Sequence, residues 1–142
     1  MILPHTFAIQ IGDPDGEGHG RHASYRFKTN KDILEVREAY FMARKRHPRL
    51  SPEKFCDNFE DAIVPAPLAA ALRKAGCPLP EPTMFDGIPS TQLDSSEMAT
   101  VVAWFITLGD PTLLIVPEQV ESCPTLNFNR VSRIPVHGYG VV

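Results

Sequence analysis

Residues Gly12 to His22 read Gly-Asp-Pro-Asp-Gly-Glu-Gly-His-Gly-Arg-His, the densest concentration of potential chemistry in the chain. Three carboxylates (Asp13, Asp15, Glu17) and two imidazoles (His19, His22) are interspersed with four glycines and a proline. Glycine reaches positive φ without steric cost, so such a segment can fold tightly and turn several side chains toward one point. Convergent carboxylate oxygens and imidazole nitrogens are the donor set of a divalent cation. The oxygens suit calcium, whereas the imidazoles favour zinc, nickel, manganese or iron, so the identity of the ion stays open. A cation held by Asp13, Asp15, Glu17, His19 and His22 would either stabilise the loop or activate a water for hydrolysis. In the second case Glu17 is the natural general base.

Two familiar motifs are excluded. Asp13, Asp15, Glu17 and Gly18 occupy positions one, three, five and six of an EF-hand loop, but position twelve, which requires a bidentate glutamate, is Ser24. The glycines resemble a phosphate loop, yet the lysine of that motif is missing and three carboxylates would repel the anion. The competing reading is a polar surface turn in which Asp13 and Asp15 form Asx-turns. The chain is then a non-catalytic protein-interaction domain, and enzyme status is open between the two. His5 and His137 are further donors if a C-terminal strand lies beside this segment.

Other candidates carry less. Arg44-Lys45-Arg46-His47, with Arg49, reads as dipole compensation at a helix end. Cys56 falls on or beside an apolar stripe, where cysteine behaves as a small hydrophobe. Ser90, Ser95 and Ser96 sit in no nucleophile elbow.

The elements that must position these residues follow from periodicity. Thr6–Ile11 and Ser24–Thr29 alternate apolar and polar, which predicts an antiparallel hairpin whose long connection is the acidic segment. Thr29 and Asp32 form a capping box for a first helix, with Ile33, Val36, Tyr40 and Ala43 on its buried face and Pro48 at its end. Ser51-Pro52-Glu53 starts a second, with the stripe Phe55, Phe59 and Ile63. A short third helix runs from Pro67 to Ala75 with Gly76 just past its end. The proline-rich stretch from Cys77 to Leu93 reads as an irregular loop pinned to the core by Met84, Phe85 and Ile88. Asp94 and Glu97 open a fourth, almost wholly apolar helix that ends at Gly109. Thr112–Val116 reads as a buried strand, and Leu126–Val131 and Ile134–Val136 as short strands before a turn at Gly138-Tyr139-Gly140. The fold class is α+β, with an antiparallel sheet, made of the N-terminal hairpin and C-terminal strands, covered by about four helices.

Bulk properties bound the function. The 142 residues form one domain, large enough to bury a core without staples. A net charge of −3 supplies no general attraction to nucleic acid or anionic membrane. Three cysteines without paired spacing predict reduced thiols and a cytoplasmic protein. No apolar run spans a bilayer, because Gly109-Asp110-Pro111 interrupts the one long candidate. A protein partner or self-association is left as the open class of ligand besides the cation.

Overall fold

The computed structural model describes residues 3–13, 21–52, 55, 62–118 and 123–129. The N-terminal hairpin is present and longer than its alternation suggests. β1 (His5–Asp13) pairs antiparallel with β2 (Arg21–Thr29) from His5 opposite Thr29 to Asp13 opposite Arg21. Phe7 faces Phe27 across the ladder and Ile9 faces Tyr25, all four buried. These apolar cross-strand pairs set the register, since a slip of one residue would turn them all to the other face.

After β2 come α1 (Ile33–Arg46), a 3-10 turn (Pro48–Leu50), β3 (Ala62–Val64), α2 (Ala66–Lys74), β4 (Thr83–Phe85) and β5 (Ile88–Leu93). The order ends with α3 (Ser95–Thr107), β6 (Ile115–Pro117) and β7 (Thr125–Asn129). There are two sheets rather than one. The larger runs β6-β2-β1-β7 and is mixed, because β7 lies parallel to β1 with Leu126 beside Ile9. The smaller runs β3-β5-β4 and is antiparallel. Among the described residues three α-helices, not four, accompany them.

The helix starts obey local chemistry. α1 begins at Asp32, whose carboxylate accepts the Glu35 N–H at 3.0 Å while Glu35 accepts the Asp32 N–H at 3.2 Å. The box therefore sits three residues later than a Thr29 cap. Thr29 is instead buried in β2, where its hydroxyl donates to the Lys31 carbonyl. α3 carries the same device in Asp94 and Glu97, with bonds of 2.8 and 2.9 Å. Each satisfies orphan amides of a first turn. α2 ends at Lys74, with Ala75 as its cap and then Gly76 at φ +95°, a left-handed terminator that favours glycine.

Three further expectations fail in whole or in part. The helix expected from Ser51 through Ile63 meets a 3-10 turn at Pro48–Leu50 and a strand at its far end. Ser51 is buried just past that turn, Phe55 is buried in a turn, Ile63 sits in β3 opposite Gln92, and residues 53–54 and 56–61 lie outside the described residues. The proline-rich stretch is irregular only over residues 77–82; from Thr83 onward it is the β4–β5 hairpin. Its two central residues, Asp86 (φ 51°) and Gly87 (φ 79°), both adopt positive φ, the signature of the primed turn that matches strand twist. Thr112–Val116 is not a buried strand either, because β6 is an exposed edge with only Leu113 ahead of it fully inside.

The core lies between the larger sheet and the packed pair α1 and α3. Val36, Ala39, Tyr40 and Ala43 of α1 meet α3, whose Met98, Val101, Val102, Phe105 and Ile106 are buried. The Tyr40 and Phe105 rings meet edge to face at 5.8 Å. Just past α3, Gly109 lies against the backbone of α1. A Cβ built there would fall 2.7 Å from the Ala39 carbonyl carbon and 2.8 Å from the Ala43 nitrogen. Both neighbours are backbone inside a helix and cannot step aside. Gly109→Ala is therefore expected to destabilise the fold by about 2 kcal/mol or more, the scale of an overpacked core. A lower urea midpoint at unchanged slope measures it.

Candidate functional site

The acidic segment is framed by the end of the β1–β2 ladder. Asp13 pairs with Arg21 on the last rung and His22 pairs with Gly12 on the next. Asp15, Glu17 and His19 lie outside the described residues, as does His137. β7 does lie beside β1, with Asn129 next to Gly12, so the chain leaves the sheet at the same end as the acidic segment. His5 is placed at the other end of β1, eight residues from Asp13. At roughly 3.3 Å per residue that is about 26 Å, too far for His5 to join a site at the hairpin connection. Among the described residues no group of three or more His, Cys, Asp or Glu side chains is arranged to hold a metal ion.

Cys77 is no nucleophile. It is buried at the end of α2, and burial pushes its thiol up to about 12, against a smaller opposing pull from the Arg73 guanidinium. At neutral pH it is a protonated core side chain. Cys56 lies outside the described residues.

Sequence reasoning missed the small sheet and what it presents. At its base Val64, Thr91 and Leu93 are buried. Arg73 on α2 holds that base from outside: its Nη2 donates to the Pro80 carbonyl at 2.8 Å and to the Thr91 hydroxyl at 3.0 Å. One guanidinium thus ties the approach to β4 and the body of β5 to the same helix. Beyond the base the hairpin projects, and every residue from Thr83 to Pro89 is exposed. Met84 and Phe85 are each 67% exposed and Ile88 is 66% exposed, so they do not pin this segment to the core. Phe85 and Ile88 face each other on the rung that closes the turn. Ile63, 61% exposed, lies on the same sheet and pairs with Gln92. The Asp86-Gly87 pair between apolar residues was the available signal; the surrounding prolines obscured it.

Two open grooves lie among the described residues. One, of about 420 Å³, follows α1 past Leu34, Glu38, Met42 and Arg46 to Gly109 and Asp110. The other, of about 500 Å³, lies between β2 and the start of α3, with Arg26, Ser95 and Ser96 among its walls. The basic stretch ends α1: Lys45, Arg46, His47 and Arg49 are exposed, while Arg44 lies over the rings of Tyr40 and Phe41 at 5.6 and 5.0 Å.

A polar clamp closes one end of the first groove. Lys31 Nζ donates to Asp110 Oδ2 and to the Thr112 hydroxyl, each at 2.6 Å, and Asp110 Oδ1 accepts from the Thr112 hydroxyl and N–H. Asn30 adds a backbone-like brace, accepting the Leu114 N–H at 2.8 Å and donating to the Thr112 carbonyl. The hydrogen bond from Lys31 foremost, and those from Thr112, lower the Asp110 carboxyl from 3.8 to about 2.

No family model, no curated protein and no solved structure matches this chain. No helix among the described residues is long and apolar enough to cross a membrane.

The clamp has a pH signature. Because the folded-state value lies below the unfolded one, the contribution of Asp110 is complete above about pH 4 and is lost as pH falls toward about 2. The pair is partly solvated, so its weight stays within about 1 kcal/mol. Asp110→Asn is expected to flatten the stability curve in that window, read as urea midpoints between these pH values.

Proposed function

We propose that this chain is a non-catalytic protein-interaction domain and that the β4–β5 hairpin is its docking element. The observation that carries the reading is the exposure of Met84, Phe85 and Ile88 together at the end of a hairpin whose base is fixed. Clustered apolar side chains left in water lose about 25 cal/mol for each Å² that a partner would cover, and on soluble domains such clusters mark contact surfaces. Presentation on a tight turn keeps the ordering cost of binding low, because the backbone is already in place. Aromatic and methionine side chains are also the types enriched in the centre of protein interfaces.

The test uses a photo-reactive benzoylphenylalanine at position 85 in cells that produce the protein. A cross-linked adduct that disappears in the Ile88→Ser background is expected; no adduct from this position would sink the reading. Because these side chains are exposed, serine substitutions at 84, 85 and 88 should leave stability within about 0.5 kcal/mol. Loss of the adduct is then a surface effect.

A second reading keeps the divalent cation at the acidic segment, through Asp13, Asp15, Glu17, His19 and His22. Its support is the ladder, which brings the backbone at Asp13 and at His22 to the mouth of the connection. Titration with calcium, manganese, zinc and nickel is expected to raise the melting temperature if this reading holds, and Asp13→Ala with Asp15→Ala to remove the response. No heat and no shift with any of the four ions would end it.

A further inference from the structure

The hairpin tip has a charge as well as an apolar surface, and the charge narrows its partner. From residue 75 to residue 93 the chain carries two acids, Glu81 and Asp86, and no cation. Both flank the apolar cluster, both are exposed, and neither pairs with a described cation. A lipid surface is a poor occupant, because Asp86 sits at the apex that would enter first and anionic headgroups would repel it. Edge-to-edge pairing of two β4 strands is also disfavoured: a two-fold through Met84 would bring Asp86 of each copy toward Glu81 of the other. The tip calls for an apolar seat with a basic rim.

This chain carries such a seat. From residue 39 to residue 52 it has four cations, a histidine and no acid. Exposed Lys45, Arg46 and Arg49 form no ion pair with a described carboxylate. Arg46 lines the end of the α1 groove, where Met42 is 38% exposed, and Lys45 and Arg49 lie within three residues of it in the chain. Four acids also line that groove: Asp110 is paired with Lys31, Glu38 lies one turn before Met42, and Asp32 and Glu35 stand at the start of α1, away from Arg46, where they would turn an acidic guest toward the basic end.

Resting on the docking reading above, we infer that the hairpin tip of one molecule docks at the C-terminal end of α1 of a second copy. Phe85 seats against Met42, and Glu81 and Asp86 face Lys45, Arg46 and Arg49. The two surfaces are different, so the contact is head-to-tail and builds a ring or an open chain instead of closing as a two-fold dimer.

Sedimentation of the full chain from about 10 μM to about 1 mM, the span of weak association, tests this directly. The expected result is a mass that grows with concentration and falls at high salt. The variant Glu81→Lys with Asp86→Asn reverses the tip while keeping the Asn-Gly preference of its turn. It should abolish the growth, as should Arg46→Glu with Arg49→Glu; mixing the two variants should restore association between unlike molecules. A chain that stays monomeric throughout overturns the inference, and so does a closed dimer indifferent to Arg46→Glu with Arg49→Glu. The photo-cross-link at position 85 separates this from the docking reading. An adduct within residues 42–49 of a second copy supports both. An adduct only to another protein overturns self-docking and leaves the hairpin as a docking element, and no adduct at all overturns both.

Discussion

The end of α3 meets α1 backbone against backbone, where Gly109 lies on Ala39 and Ala43 with no room for a Cβ. This contact decides how near the end of α3 can come to α1, and so how tightly the two helices close over the larger sheet. Small residues on α1 make the approach complete: Ala39 and Ala43 are buried one helical turn apart, with Val36 and Tyr40 beside them. Around this dry contact stands a wet one. Lys31, Asp110, Thr112 and Asn30 bind the entrance of α1 to the loop after α3, so the chain cannot leave the contact by fraying at that end. Packing sets the spacing there, and hydrogen bonds hold the geometry that the packing needs.

The two sheets divide the labour. The larger one buries Phe7, Ile9, Tyr25, Phe27 and Leu126 under the helices and keeps polar residues such as Gln10, Ser24 and Arg26 on its other face. It behaves as half of a core. The smaller one buries only its base and extends beyond it, with α2 and Arg73 steadying the root. Hydrophobic residues at its tip gain nothing from the intramolecular fold. Their exposure is what gives the docking proposal its physical motive. It also explains why that segment resists reading as part of a core, since its apolar residues mimic core positions without occupying them.

The sequence was most legible where a structural cause acts within a few residues. Asp94 with Glu97, Gly76 after α2, and the alternation of β1 and β2 each carry their own mechanism, and each appears in the fold. Legibility failed where two local signals competed. Thr29 satisfies a capping pattern with Asp32, but it belongs to the buried face of β2, so the cap passed to Asp32 itself. Ile63 matches the helical spacing of Phe55 and Phe59, yet β5 offers it a ladder of hydrogen bonds opposite Gln92. The candidate cation ligands show the same limit. The hairpin pattern left Asp13 and His22 in the connection, whereas the ladder extends to include both, and the distance of His5 depended on which end of a strand it occupied.

By itself, then, the sequence determined the class of the fold, the helices α1 and α3 with the cap of α3, the N-terminal hairpin and the residue types available for chemistry, because propensity, capping and periodicity are short-range properties of the chain. Tertiary structure decided the rest. It placed β7 parallel to β1, gathered β3, β5 and β4 into a second sheet, brought Gly109 onto α1, and left Met84, Phe85 and Ile88 in solvent. None of these can be read from a window of residues, since each depends on which distant surface becomes available to bury against. The acidic loop names the chemistry the chain could perform; the exposed hairpin shows where the folded chain presents itself to a partner.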